Sequence, residues 1–378
     1  MRAVVICGGA AVAGYMYLLY RKRCRRSEET GGPPGVVNDA RVWADLHSAA
    51  ADEAAGFFAF YSSVTNAVTT RPELMTVAVH DHAIVRGHAV FDTCSLAKRR
   101  LYRLSIHLDR LFASAAAAKL PLPFKGDEPA NRSRMTEVIR AACIASGRQD
   151  ADVRFWLTAG TGNLGVTPKG CRPAFYVLVF GGLPTPTSWS VEGIPEASVP
   201  QALVPMKPPL LAELKSNNYM LNALTMMAAQ ERGGTFGIGV DTSGHLTESC
   251  VLNVMVVGHD RVLRTPPFEG ILRGTTARRA MELATRNLLV GSTEWSAAGQ
   301  PPRQRNQLAA VRQEPITLDD AQAGLELILV AGDTHVFACT SLDGRPIGDG
   351  KPGPVWQSLV ALLKADATVG HEDHDELI

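Results

Sequence analysis

Two β-rich runs near the middle of the chain limit the fold most strongly. VRFWLTAG (153–160) and FYVLVFG (175–181) are rich in aromatic and branched residues, and glycine-containing loops bound both of them. Residues 107–119 and 217–231 instead repeat apolar side chains at helical spacing. Because strands and helices are mixed in both halves of the chain, the pattern predicts an α/β or α+β fold and argues against a helical bundle or a β-sandwich.

The length and the proline distribution predict two domains. A chain of 378 residues is longer than one hydrophobic core usually serves. Prolines concentrate after the second β-rich run, so we interpret residues 183–204 as an interdomain connection. This places a small N-terminal α/β domain over residues 51–182 and a larger C-terminal domain over residues 205–378. Within the C-terminal domain, residues 291–313 are polar and contain prolines, which predicts a surface insertion.

The charge balance and the cysteines exclude other classes of protein. The chain has 38 Lys and Arg residues against 37 Asp and Glu residues, which argues against a nucleic-acid-binding protein with a broad basic face. Its seven cysteines are scattered and form no CxxC pair, a pattern that fits neither a disulfide framework nor a zinc site. We interpret His82, His88 and His107 as turn or packing residues, and we expect no metal site.

The N-terminus resembles a targeting segment in its composition. Residues 3–20 carry no charge, and the basic sequence RKRCRR follows them directly. This order predicts a transmembrane anchor over residues 1–20 with the rest of the chain facing the cytosol, on the mitochondrial outer membrane or the endoplasmic reticulum. Residues 21–50 are then a basic, Pro/Gly-containing linker and a leading helix. The alternative is a transit peptide to a mitochondrion or plastid, because residues 1–27 contain no acidic side chain.

A few residues carry candidate chemistry, although each has an ordinary explanation when taken alone. Glu248 lies in a predicted strand beside apolar residues, where a carboxylate needs a cation or an edge position. Thr275 and Thr276 begin a predicted helix, whose backbone N–H groups and dipole favour an anion. Lys215 and Arg110 are cations that also occur commonly on protein surfaces.

The order and spacing of these residues resemble one enzyme family. Five motifs between about residues 70 and 345 resemble the fold-type IV pyridoxal-phosphate enzymes, a two-domain family that includes branched-chain aminotransferases, D-amino-acid aminotransferases and aminodeoxychorismate lyase. Within the family, the resemblance is greatest to the plant-type D-amino-acid aminotransferases. The motifs are HDHAIVRGHAVFDT (80–93), HLDRLFASA (107–115), KSNNYMLN (215–222), GHLTESCVLNV (244–254) and TPPFEGILRGTT (265–276).

The resemblance implies pyridoxal 5'-phosphate as the cofactor and gives each motif residue a role. Lys215 looks like the catalytic lysine that forms the internal aldimine and then moves the α-proton. Glu248 resembles the carboxylate that pairs with the pyridine nitrogen and makes the ring an electron sink. Tyr219 stands where the family places a tyrosine near the ring hydroxyl. The remaining cofactor-binding residues implied are Arg110, Thr275, Thr276 and Thr334 at the phosphate and Asn253 as a polar neighbour.

The substrate-binding residues depart from the bacterial D-amino-acid aminotransferases. Those enzymes have a tyrosine at the position of Phe91 and an arginine at that of Ala159, and both help bind the substrate carboxylate. Arg86 and Arg154 are the arginines available here to replace them. An arginine occurs at the counterpart of Arg154 in branched-chain enzymes.

We therefore expect a PLP-dependent aminotransferase that moves the amino group of a D-amino acid to a 2-oxo acid by a ping-pong mechanism. The alternatives on the same fold are a branched-chain L-amino-acid aminotransferase and aminodeoxychorismate lyase. A catalytically inactive, membrane-tethered interaction protein is a remote alternative, because Lys215, Glu248, Arg110 and Thr276 are all retained. The resemblance also implies a homodimer.

Overall fold

The computed structural model describes residues 56–182, 185–290, 306–332, 335–369 and 375–376. Short 3-10 turns occur at Pro72–Leu74 and Thr187–Ser190. The helices are α1 (His82–Val85), α2 (Leu104–Ala117), α3 (Glu128–Ser146), α4 (Pro209–Glu213), α5 (Met220–Glu231), α6 (Thr275–Asn287), α7 (Leu318–Gln322) and α8 (Pro354–Thr368). The strands are β1 (Phe57–Ser62), β2 (Ala67–Thr69), β3 (Ala89–Ala97), β4 (Arg100–Leu101), β5 (Ala151–Thr161), β6 (Arg172–Phe180), β7 (Ile194–Glu196), β8 (Ser198–Pro200), β9 (Ile238–Val240), β10 (Leu246–Ser249), β11 (Asn253–Val257), β12 (Val262–Thr265), β13 (Ala310–Gln313), β14 (Glu326–Val330), β15 (Val336–Leu342), β16 (Arg345–Pro346) and β17 (Asp375–Glu376).

The first half of the chain forms an antiparallel sheet in the order β17-β4-β3-β5-β6-β1-β2. The two β-rich runs are its central strands β5 and β6, which confirms the prediction from their composition. Helices α2 and α3 bury their apolar faces against this sheet, and the core contains Leu108, Leu111 and Phe155. Each fully buried side chain of this size contributes roughly 1.5–3 kcal/mol.

The second half forms another sheet, in the order β13-β12-β11-β14-β15-β16, with β7 paired to β15. Strand β14 is buried along its whole length, and helices α6 and α8 pack beside it in a common core with Leu283 and Leu359. A smaller sheet has the strand order β10-β9-β8, and its strand β10 contains the end of the GHLTES motif. The mixture of strands and helices confirms the predicted α/β (α+β) class.

Three parts of the predicted domain division differ from the structure. Within the predicted connection, residues 194–196 form β7 and residues 198–200 form β8, and Ile194 is fully buried. Within the predicted surface insertion, Leu308 is fully buried and β13 pairs in parallel with β12. Strand β17, from the predicted C-terminal domain, pairs with β4 of the first sheet. The sequence MTVAVHD (75–81) alternates like a strand and ends in a turn. It forms no strand in the structure, where Asp81 makes an isolated bridge with Thr161.

One carboxylate links the two halves of the chain. Asp366 in α8 accepts a hydrogen bond of 2.6 Å from the hydroxyl of Tyr102, which follows β4. The same carboxylate accepts two hydrogen bonds from Arg279 of α6, at 2.9 Å from Nε and 2.6 Å from Nη2. The described residues from Gly56 onward belong to a single compact unit. The division into two domains therefore stays a prediction.

Several predicted features lie outside the described residues. These are the anchor over residues 1–20, the linker and leading helix over 21–50, most of the insertion and Thr334. Among the residues that the structure does describe, no helix is both long enough and apolar enough to cross a bilayer.

Candidate active site

Lys215 is held in place by a strand of the first sheet. Its segment is extended between α4 and α5, and Ser216 forms a bridge with Val90 of β3. The amide of Phe91 donates to the carbonyl of Lys215 at 2.8 Å, and the amide of Asn217 donates to the carbonyl of Ala89 at 3.1 Å. These backbone hydrogen bonds fix the direction in which the Lys215 side chain extends from the backbone.

The ring of Phe91 lies close to three other candidate site residues. The Nζ of Lys215 lies 4.8 Å from its centroid, and the guanidinium carbon of Arg154 lies 5.3 Å from it. The ring of Tyr219 packs at a centroid distance of 5.4 Å. Lys215, Tyr219 and Arg154, which come from two separate segments of the chain, therefore all lie near Phe91.

The surroundings of Lys215 favour its neutral amine. Burial lowers its pKa to about 8 from the usual 10.5, and the positive charge of Arg110 acts in the same direction. The carboxylates of Asp92 and Glu248 oppose this shift only in part. A lysine with such a pKa has a useful unprotonated fraction near neutral pH and can act as a nucleophile or a base.

Glu248 has an environment that suits a cationic ligand. Burial raises the pKa of its carboxyl to about 7, while a hydrogen bond from the amide of Leu272 and the charges of Lys207 and Lys215 pull it back. The Leu272 amide donates at 3.1 Å to Oε2. A half-buried carboxylate that accepts one hydrogen bond from a backbone amide gains further from an approaching N–H cation.

Asn253 positions the loop before α6. Its Nδ2 donates to the carbonyl of Leu272 at 2.9 Å, so Glu248 and Asn253 hold the two ends of the same residue. A Cβ at Gly274 would overlap the Oδ1 of Asn253 and lie 2.9 Å from its Cγ. The glycine is therefore required for the close approach of this loop to β11.

The start of α6 is a site for an anion. Thr275 and Thr276 are buried, no side chain caps the helix, and its first turn contains no acidic residue. The Oγ1 of Thr275 is buried without a hydrogen-bond partner. The Nη1 of Arg110 reaches the carbonyl of Arg273 at 3.3 Å, directly beside this helix start. Free N–H groups, an unpartnered hydroxyl and an arginine are the groups that bind a phosphate.

A buried network behind Arg110 was not found from the sequence. Asp92 is fully buried, and its Oδ2 accepts from the Nε of Arg110 at 2.7 Å. Its Oδ1 accepts from the Nη2 of Arg110 at 2.8 Å and faces the Nδ1 of His107 at 2.9 Å. Although burial alone would raise the pKa of Asp92, Arg110 and His107 hold it far below its usual range. The spacing of His107 and Arg110 on one helix face was the available signal.

The structure separates the two arginines considered for the substrate. Arg154 is half-buried beside Phe91, and its Nε donates to the hydroxyl of Thr93 at 3.0 Å. Arg86 is exposed and donates instead to the carbonyls of Leu164 and Gly165. Arg86 therefore holds a loop, whereas Arg154 lies among the residues around Lys215.

Lys207 is a second cation that the sequence analysis missed. Its Nζ lies 5.2 Å from the centroid of the Tyr219 ring, and it lines the same cavity as Glu248 and Cys250. Burial lowers its pKa, and the charge of Glu248 opposes the shift. It lies in a proline-rich segment without periodicity, so no pattern marked it.

Comparison with known proteins identifies the family. The family model described as amino-transferase class IV matches residues 89–298, which is more than half of the chain. This chain is a class IV aminotransferase. It is 33% identical to the chloroplastic D-amino-acid transaminase of Arabidopsis thaliana over 83% of this chain and 78% of that protein.

Solved structures of this family share the fold. The branched-chain amino acid aminotransferase of Escherichia coli matches with a TM-score of 0.70 and 20% identity, over 85% of this chain and all of that chain. A hypothetical aminotransferase of Mycobacterium tuberculosis, solved in its PLP-bound form, matches with a TM-score of 0.63 and 22% identity, over 82% and 98% of the two chains. Class IV aminotransferases use pyridoxal 5'-phosphate, so the chain is a PLP-dependent transaminase.

Proposed function

We propose that this transaminase moves the amino group of a D-amino acid such as D-alanine to a 2-oxo acid in two half-reactions. The position of Arg154 supports an amino acid as the substrate, because it places a cation for a carboxylate beside Phe91 and Lys215. The 33% identity to a protein named D-amino-acid transaminase supports the choice of enantiomer. The alternatives are a branched-chain L-amino-acid aminotransferase and aminodeoxychorismate lyase.

We assign the cofactor to the groups that surround Lys215. Pyridoxal 5'-phosphate supplies an aldehyde carbon that takes the amino group and a ring that stabilises negative charge at the α-carbon. Lys215 would hold the aldehyde carbon, and the Glu248 carboxylate would accept a hydrogen bond from the ring nitrogen. Arg110, the hydroxyl of Thr275 and the start of α6 would hold the phosphate, to which the unpartnered Thr275 hydroxyl would donate. Thr334 stays a predicted additional phosphate ligand.

The amine of Lys215 moves the proton in both half-reactions. In the first it takes the α-proton of the donor amino acid, and in the second it delivers a proton to the α-carbon of the new amino acid. Its lowered pKa leaves the amine unprotonated often enough to act as the base. Arg154 binds the carboxylate of each substrate in turn. The amino acid that gives the amino group and the 2-oxo acid that receives it therefore use the same binding site.

The full chain, loaded with cofactor, should be offered D-alanine, L-leucine or aminodeoxychorismate, each with 2-oxoglutarate. We expect pyruvate and glutamate from D-alanine and little turnover of L-leucine. Turnover of L-leucine alone would assign the enzyme to the branched-chain group, and pyruvate from aminodeoxychorismate without a 2-oxo acid would make it a lyase. Lys215→Ala is the inactive control.

We also propose a homodimer. Met220, Leu224 and Met227 follow each other at helical spacing on α5 and are 74%, 41% and 56% exposed. A second copy that covers this face explains three large apolar side chains on one helix surface. Sedimentation of the wild type should give the mass of two chains, and the double variant Met220→Glu, Met227→Glu should sediment as a monomer.

For the N-terminus we propose the membrane anchor over residues 1–20, on the mitochondrial outer membrane or the endoplasmic reticulum. The apolar run and the basic block after it support this location. The relative named as chloroplastic supports the transit-peptide alternative. In cells, an anchored full-length protein would stay with membranes during alkaline extraction. A transit peptide would instead be removed, leaving a shorter protein inside the organelle.

A further inference from the structure

Two of the three guanidinium nitrogens of Arg110 donate to the same carboxylate. Its Nε and Nη2 donate to the two oxygens of Asp92, in the bidentate arrangement that gives an arginine its most directional contacts. The Nη1 points away from this pair and reaches the carbonyl of Arg273 at the start of α6. Asp92 therefore fixes the plane of the Arg110 guanidinium, and Nη1 is the nitrogen that faces the start of α6.

Most of the hydrogen-bond acceptor capacity of Asp92 is used within the protein. The carboxylate is fully buried and contacts Arg110 twice and His107 once, and its Oδ1 also accepts from the amide of Thr93 at 2.7 Å. A carboxylate with these partners acts on the site only through them. His107, which is also buried, adds a contact from the same face of α2 as Arg110.

We infer that Asp92, supported by His107, is a positioning residue that fixes Arg110 so that its Nη1 faces the cofactor phosphate at the start of α6. This inference rests on the assignment of Arg110 to the phosphate proposed above. Asp92 also supplies the counter-charge that a nearly buried guanidinium needs before the phosphate arrives. The phosphate site is thereby formed in advance, and binding does not have to order a long side chain.

The experiment compares the affinities of the full-length, cofactor-free protein for pyridoxal 5'-phosphate and for pyridoxal, which lacks the phosphate. The ratio of the two dissociation constants reports on the phosphate site alone, since any change at Lys215 affects both ligands equally. Asp92→Asn keeps the shape of the side chain but loses the charge and one acceptor. Asp109→Asn is the matched control, because Asp109 is the neighbour of Arg110 on α2 but is exposed and pairs with Arg132 at 2.8 Å.

We expect Arg110→Gln to lower the preference for the phosphorylated ligand about a hundredfold and Asp92→Asn to lower it about tenfold, with pyridoxal affinity unchanged. Asp109→Asn should match the wild type. His107→Phe, which leaves the Asp92–Arg110 pair intact, should lower the preference only a few-fold and serves if Asp92→Asn does not fold. Folding is checked for each variant by its thermal unfolding transition.

The outcomes distinguish the positioning role of Asp92 from the assignment of Arg110 to the phosphate. A folded Asp92→Asn variant with the wild-type preference, alongside a defective Arg110→Gln, would overturn the positioning role and leave the phosphate assignment intact. An Arg110→Gln variant with the wild-type preference would remove Arg110 from the phosphate, and the inference about Asp92 would fall with it. If Asp92→Asn does not fold, a His107→Phe variant with the wild-type preference counts against the positioning role in the same way.

Discussion

Phe91 contacts Lys215 twice, once with its backbone and once with its ring. Its amide donates to the lysine carbonyl at 2.8 Å, and its ring centroid lies 4.8 Å from the lysine Nζ. The same residue therefore fixes the position of the lysine backbone and excludes water from the amine. Burial is the largest cause of the lowered pKa of Lys215, and the Phe91 ring contributes to that burial.

Replacement of Phe91 by alanine should raise the pKa of Lys215 from about 8 towards 10.5, because water then reaches the amine. The amine is neutral only above its pKa, so capture of pyridoxal by the cofactor-free protein should need a higher pH in this variant. Reductive trapping of the lysine adduct across a pH series measures the midpoint. Phe91→Leu, which keeps most of the apolar contact, should shift the midpoint less. A midpoint unchanged in Phe91→Ala would contradict the role of the ring.

Glu248 should make the cofactor-free protein less stable as the pH rises. Its pKa is raised from 4.5 to about 7, so its proton stabilises the folded state fully below pH 4.5, and this contribution is lost as the pH approaches 7. The loss amounts to about 3 kcal/mol. Glu248→Gln cannot ionise, so urea unfolding should give it a higher free energy of unfolding than the wild type at pH 8. At pH 4.5 the two should be similar. Equal pH dependence in both proteins would disprove the assignment.

The two arginines considered for the substrate should respond differently to mutation. Arg154→Met removes the cation beside Phe91 and should raise the KM for amino acid and 2-oxo acid about tenfold or more, because a charge-assisted contact is lost. Arg86→Met should leave KM within about twofold, since Arg86 is exposed and donates to the backbone carbonyls of Val85, Leu164 and Gly165. Steady-state kinetics with both substrates measure the difference. The reverse result would make Arg86 the substrate ligand.

Gly274→Ala should displace Asn253 from Leu272 and weaken both folding and cofactor binding. The new Cβ would overlap the amide oxygen of a buried asparagine, and overpacking of this kind costs about 1–3 kcal/mol. Adding Asn253→Ala makes room for the Cβ, so the double variant should be more stable than Gly274→Ala alone. Thermal unfolding of the single and double variants tests this coupling. Additive losses would show that the overlap is relieved in another way.

The central strands β5 and β6 could be predicted from their composition. The site residues have ordinary explanations when taken alone, and only the order and spacing of five motifs that resemble one family singled them out. Lys215 and Glu248 lie near enough for their charges to act on each other, and their roles stay predictions. The choice between Arg86 and Arg154 could not be made, because it depends on where the loop before Cys171 folds. A sequence pattern does not predict the direction in which an arginine side chain points.

The other misses have a similar physical cause, which is pairing over long sequence distances. Strand β13 consists of polar residues in a polar segment, and its partner β12 lies about fifty residues earlier in the chain. Asp92 looks like one residue of an alternating strand until α2 packs against it. The alternating residues 75–80 show the opposite error, because a pattern of the right period found no partner strand in the described part of the chain.

The bond network of Asp366 has a consequence for the order of folding. Tyr102 and Asp366 are 264 positions apart, yet they tie β4 and the start of α2 to helices α6 and α8. Arg110 on α2 and the Arg273 carbonyl before α6 are themselves 163 positions apart, so we expect their contact to form late in folding. Contacts of such long range form late and slowly. Cofactor added during refolding should consequently be captured in the last kinetic phase, which makes its uptake a report on completed assembly.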